Sequence, residues 1–259
     1  METALFSPSS LFRDGDDDDD DNNNDGGVGR GGEELSQELF VERTHSFPGM
    51  DLLIREFSFH HLNANLLWPG TFSFAEWLLL NRILLHGLRI LELGSGTGAL
   101  AIFLRRSFGV DITTSDFDDK EVEENIAYNC RANKLDVLPH IRHSWGDVFP
   151  AKEPNWDLII ASDILLYVKQ YPNLISTLCF LLNSYKPEQT EALVGSDQIE
   201  RNIIIPGKQR QFKRPLFLMS WRRRIGKDEE LFFAGCENAG LTVEHMESRV
   251  YCISPRRDG

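Results

Sequence analysis

Gly94, Gly96 and Gly98 stand at every second position, directly after Leu88-Arg89-Ile90-Leu91-Glu92-Leu93 and directly before Ala99-Leu100-Ala101-Ile102-Phe103-Leu104. An apolar strand, a glycine turn and a helical run make the first half of a nucleotide-binding α/β unit. The glycines allow a tight turn and let a ligand approach the main chain, which any Cβ would obstruct. The spacing is Gly-x-Gly-x-Gly rather than the Gly-x-Gly-x-x-Gly of a dinucleotide fold, and no Lys-Ser/Thr follows to hold a pyrophosphate. With Glu92 two residues ahead of the first glycine, the turn fits S-adenosylmethionine better than NAD or ATP. A purely structural glycine turn is the alternative, and the correctly placed strand and helix weigh against it.

Two further acids close strands on the same pattern. Val110-Asp111-Ile112-Thr113-Thr114-Ser115-Asp116 reads as a second strand, and Asp116 lies 22 residues beyond Gly94, where a carboxylate can reach ribose hydroxyls. Its alternative is to cap the next helix, whose Val122, Ile126 and Cys130 share one face, but Asp118 and Asp119 are better placed for that. Trp156 to Asp163 is a fourth strand, apolar on both faces like a central parallel strand, and Asp163 ends it at the edge where open α/β sheets bind ligands. Trp145 follows a third strand, Val137 to His143, where its ring could stack on adenine. Trp68 either faces the same pocket or simply packs in the core. His60-His61 has no carboxylate or thiol partner at ligand spacing, so no metal site is expected.

The remaining elements must position these residues. Phe40 to His45 and Leu52 to Phe57 alternate in the strand manner around Pro48-Gly49, which predicts an N-terminal hairpin. Ser73-Phe74-Ala75-Glu76 matches a capping box, predicting a helix from there to His86-Gly87. Tyr171, Leu174, Ile175, Leu178 and Leu182 form a helical core stripe. Residues 186–214 carry Pro187, Gly195, Pro206 and Gly207 with Lys208, Arg210, Lys213 and Arg214, and read as an irregular basic insertion that could hide a short strand from Glu191 to Ser196. Leu216 to Trp221 is a fifth strand, Asp228 to Ala239 a helix closed by Gly240, and Leu241 to Met246 with Arg249 to Ile253 an antiparallel pair. The fold expected is α/β: a Rossmann-like seven-stranded sheet with helices on both faces.

The chain of 259 residues has a formal charge of −13, unevenly spread. Residues 1–34 hold eleven acids against Arg13 and Arg30, a net of −9, which leaves the remainder about −4. Residues 1–35 therefore read as a disordered acidic and glycine-rich tail, and 36–259 as the folded domain. Cys130, Cys179, Cys236 and Cys252 are far apart, so reduced thiols in a cytoplasmic, or also nuclear, protein are expected. No apolar run is long enough to span a bilayer.

Trp68-Pro69-Gly70, Leu91 to Gly98, Thr113-Thr114-Ser115-Asp116, Ser144-Trp145-Gly146 and Ala161-Ser162-Asp163, in this order, resemble the seven-β-strand protein-lysine methyltransferases that modify chaperones, elongation factors and similar proteins. The likeness covers roughly residues 40–255. It implies S-adenosylmethionine as cofactor, contacted by Trp68, Glu92, Gly94, Ser95, Gly96, Asp116, Trp145 and Ser162. It further implies a protein substrate whose amine is oriented by Asp163. The family's Asp-x-x-Tyr reads here Asp163-Ile164-Leu165-Leu166, with Tyr167 one place on to wall the channel. No Asn-Pro-Pro-Tyr type motif for amide or base nitrogens is present. A methyltransferase of RNA or a small molecule, and an inactive cofactor-binding protein, are the competing readings; the basic residues Lys208, Arg210, Lys213, Arg214 and Arg222 to Arg224 fit an RNA or acidic-protein partner, or equally a solvated loop and helix start.

Overall fold

Central strands buried on both faces build the molecule, described by a computed structural model over residues 40–60, 64, 66–187, 203–204, 211–221 and 229–256. The expected acidic tail, the strand from Glu191 to Ser196, His61 and the basic residues Lys208, Arg210 and Arg222 to Arg224 lie outside the described residues.

Strands β1 (Phe40–Phe47) and β2 (Met50–Phe57) form the expected hairpin about Pro48-Gly49. Then follow α1 (Pro69–Leu80), a 3₁₀ turn (Arg82–Leu85), β3 (Arg89–Leu93), α2 (Ala99–Phe108), β4 (Asp111–Asp116), α3 (Lys120–Ala132), β5 (His140–Arg142) and β6 (Leu158–Ser162). After a second 3₁₀ turn (Val168–Gln170) come α4 (Tyr171–Asn183), β7 (Ile203–Ile204), β8 (Gln211–Phe212), β9 (Leu216–Ser220), α5 (Glu229–Asn238), β10 (Leu241–Glu247) and β11 (Val250–Pro255).

Seven strands form one sheet in the order β10-β11-β9-β6-β3-β4-β5. Strands β9, β6, β3, β4 and β5 are parallel, and β11 and β10 close the sheet antiparallel. Period-two alternation sends Ile90, Leu158, Ile160, Leu216 and Leu218 to one face, where α1, α2 and α3 cover them. Leu91, Leu93, Ile159, Ala161, Phe217 and Met219 go to the other face, under α4 and α5. Each buried leucine, isoleucine, phenylalanine or methionine among them contributes about 1.5–3 kcal/mol. No helix of the described residues is long and apolar enough to cross a membrane.

Four local expectations are corrected. Helix α1 starts at Pro69, not Ser73: proline is preorganised for the first helical position, and Ser73 and Glu76 are exposed one turn inside. It stops at Leu80, and Arg82–Leu85 continues as a 3₁₀ turn. The third strand shrinks to His140–Arg142, since Pro139 lacks an N–H and engages β4 through its carbonyl, 2.9 Å from the Thr114 N–H. Within the stretch read as irregular, β7 and β8 pair antiparallel.

Candidate active site

The site lies where the strand order reverses. From β3 the chain winds through β4 to β5, then returns to β6 on the other side of β3, and ligands bind at the carboxyl edge of such a switch. Register sets the edge level: Leu93 pairs with Ser115 and Glu92 with Ile160, so Gly94 comes level with Asp116, one step on from the first pair, and with Ser162, two steps on from the second. Gly94 takes φ +66°, and a Cβ there would meet the Ile164 Cγ2 atom at 2.7 Å.

Asp116 is held rather than free. Its Oδ2 accepts the Gly96 N–H at 2.6 Å and its Oδ1 the Phe117 N–H at 2.8 Å. Each carboxylate oxygen keeps a second acceptor position. Burial raises its pKa, and the two backbone bonds counter that. Asp119, as expected, caps α3 by accepting the Glu121 N–H.

Asp163, 2 % exposed, takes φ +54° in the left-handed region. Its Oδ2 accepts the Gly70 N–H at 2.6 Å, which serves a free donor of the first turn of α1. The Thr71 and Ser162 hydroxyls are hydrogen-bonded at 2.9 Å beside it. A Cβ on Gly70 would lie 2.4 Å from that Asp163 oxygen, so only glycine fits against the acid. This clamp brings Trp68, just ahead of α1, to the edge of β6. Leu67 is anchored in turn by its N–H to the buried Glu56 Oε1, 3.1 Å. Burial favours protonation of Glu56, but hydrogen bonds from His45 and Leu67 and the Arg43 charge outweigh it and hold the carboxyl below its usual range.

A cavity of about 390 Å³ opens at this edge. Of the ten residues the sequence singled out, Trp68, Gly94, Gly96, Asp116, Trp145, Ser162, Asp163 and Tyr167 line it. Glu92 and Ser95 do not. They face an inner cavity of about 20 Å³, the room of a single water, shared with Trp68, Gly94 and Ser162. The Ser95 hydroxyl accepts the Ser115 N–H at 3.1 Å and staples the turn to β4. Glu92 shares the face of Ile90, and burial, with the Asp116 charge adding to it, pushes its carboxyl up to about 8. The sequence reading missed Phe117, His143, Leu166, Gln170 and Asn173 in the wall of the main cavity. Phe117 and Leu166 adjoin singled-out residues and could have been inferred, whereas Gln170 and Asn173 carry no sequence signal.

Over residues 48–200, more than half of the chain, the sequence matches the family described as lysine methyltransferase. The chain belongs to the lysine methyltransferase family. It is 29 % identical over 128 residues to the protein-lysine N-methyltransferase EFM3 of Chaetomium thermophilum, covering 46 % of this chain and 38 % of that protein. It is 27 % identical over 118 residues to the histone-arginine methyltransferase METTL23 of Xenopus laevis, covering 45 % and 50 %. The chain thus spans half the length of these relatives or less. EEF1A lysine methyltransferase 3 of Xenopus tropicalis matches further, at 26 % identity over 210 residues, 76 % of this chain and 86 % of that protein. Among solved structures, the T. thermophilus 16S rRNA N2 G1207 methyltransferase with AdoMet and guanosine aligns at TM-score 0.54 and 15 % identity, over 85 % of this chain and 51 % of that one. That likeness shows the fold, and the seven-stranded sheet of this family member agrees with it.

Proposed function

We propose that this chain transfers the methyl group of S-adenosylmethionine to a lysine side chain of a protein substrate. One observation carries the reading: Gly94, Asp116 and Ser162-Asp163 meet at one cavity in a member of the lysine methyltransferase family. The residues fit that donor. Gly94 and Gly96 leave the main chain open, Asp116 keeps acceptor positions for ribose hydroxyls, and Trp145 offers a ring to the adenine. Trp68 and Ser162 close the sides, and Glu92 and Ser95 support the turn from behind. When bound, the sulfonium supplies a methyl group already activated for transfer.

What remains for the protein is to place a neutral amine in line. A free lysine titrates near ~10.4, and the apolar Ile164 and Leu166 of the cavity wall disfavour its charged form. Asp163 orients the amine, Tyr167 walls the channel, and the lost proton passes to water. The histone-arginine name of the Xenopus laevis relative favours arginine as the second reading. Arg214, counted in the basic stretch, is ion-paired to Asp157 at 2.8 Å and mostly buried, so its charge is not offered to an RNA. Four cysteines, none in a disulfide, support a reducing compartment, cytoplasm or nucleus.

The donor half of the reading is tested by titrating S-adenosylmethionine into the full chain in a calorimeter. Asp116→Ala should weaken binding by ~1.5–3 kcal/mol, the cost of a lost charged hydrogen bond. Unchanged affinity in a folded variant would remove Asp116 from the site, and no binding by the wild type would remove the donor.

A further inference from the structure

Asn125 and Asn129 of helix α3 and its C-cap residue Asn133 stand one turn apart, all buried against the edge of β2 that β1 leaves open. The Leu53 N–H donates to Asn133 Oδ1 at 3.1 Å, and Asn133 Nδ2 donates to the Leu53 carbonyl at 2.7 Å. Asn129 repeats the pair two strand residues on, accepting the Arg55 N–H at 2.8 Å and donating to the Arg55 carbonyl at 3.1 Å. Asn125 donates to the same carbonyl at 3.0 Å and accepts from the Arg55 Nε at 2.8 Å. The fit is geometric. Four helical residues rise about 6.0 Å, close to the roughly 6.8 Å that two strand residues advance. Asn129 and Asn133 each give the strand edge the donor and acceptor that a neighbouring strand would supply, while Asn125 adds a donor alone.

Asn129 makes a further bond. Its Nδ2 donates to the Thr97 carbonyl at 2.9 Å, inside the glycine turn, whereas the matching bond of Asn133 stays within α3, to the Asn129 carbonyl. Both amide hydrogens of Asn129 are therefore used, one on the hairpin and one on the turn. Glu56, next to Arg55 on β2, holds Leu67 ahead of Trp68. Two walls of the cavity are thus tied to one strand outside the main sheet.

We infer that Asn129 is a positioning residue: it fixes the glycine turn against α3 and the hairpin and so sets the affinity for S-adenosylmethionine, while Asn133 serves hairpin docking alone. The affinity part rests on the donor reading above. The test compares Asn129→Ala with Asn133→Ala in the full chain. The readouts are melting temperature, amide hydrogen exchange over residues 94–99, and titration with S-adenosylmethionine. Both variants should melt several degrees lower. Asn129→Ala should speed exchange over 94–99 about tenfold and weaken donor binding roughly five- to fiftyfold, with Asn133→Ala within about twofold of wild type on both. If Asn129→Ala does not fold, Asn129→Ser, which leaves room for a bridging water, takes its place. Equal behaviour of the two positions, with wild-type binding intact, overturns the positioning role and leaves the donor reading standing. A split in exchange with no donor binding by the wild type overturns the donor reading and the affinity claim, and leaves the tie between Asn129 and the turn.

Discussion

Asp163→Ala is expected to lower the melting temperature by on the order of 10 °C. The substitution strands the buried Gly70 N–H, which costs about 1–3 kcal/mol. It also leaves a residue with a Cβ and no compensating side-chain bond at φ +54°, for about 1–2 kcal/mol more. A domain of this size shifts by roughly 2–4 °C per kcal/mol. Asp163→Asn separates the clamp from the charge. Asparagine tolerates the left-handed conformation and keeps an oxygen for Gly70, so folding and donor affinity should stay near wild type. Methyl transfer should then fall by about one to two orders of magnitude, as for lost positioning of the acceptor. Normal turnover in Asp163→Asn would remove the carboxylate from the transfer step. Wild-type melting in Asp163→Ala would deny the clamp.

The second large effect is a pH dependence at Glu92. An ordinary glutamate titrates near 4.5, while burial raises this one to about 8 in the folded chain. Between those values the native state holds a proton that the unfolded state has released, so stability falls as pH rises through the window and levels off above it. The loss is on the order of a few kcal/mol. Glu92→Gln carries the neutral form permanently and should escape it. In melts at pH 5 and pH 8.5, the variant should gain on wild type by on the order of 10 °C at the higher pH relative to the lower. Taking the difference between the two proteins cancels the other titrating groups. An equal gap at both values would mean that Glu92 is ionised in the fold.

The parts of this site that are local in sequence were legible, and those made by long-range contact were not. The glycine spacing after β3 and the acids ending β4 and β6 announced the cavity, because parallel strands must end level at a switch point. That Asp163 caps α1 could not be read, since Gly70 lies 93 residues away. For the same reason Ser73-x-x-Glu76 was a misleading local match: the free donor at Gly70 finds its acceptor on β6, and the helix starts at Pro69. The inward placement of Glu92 was legible in principle, as it shares the strand parity of Ile90 and so faces α1–α3. Asn125, Asn129 and Asn133 were visible as an i, i+4 row, but nothing in the sequence pairs them with Leu53 and Arg55. Strands β7 and β8, two residues each, are too short to show a period.

Methyl transfer to lysine is read out by a single labelling measurement. The full chain is incubated with methyl-labelled S-adenosylmethionine and a cell lysate, the labelled macromolecules are hydrolysed completely, and the labelled product is identified. Methylated lysine, released by protease treatment and untouched by ribonuclease, is the expected product, and Asp163→Asn should yield about a tenth of it or less. Label in nucleotides, in methylarginine alone, or in nothing beyond a control lacking the chain would contradict a protein-lysine methyltransferase.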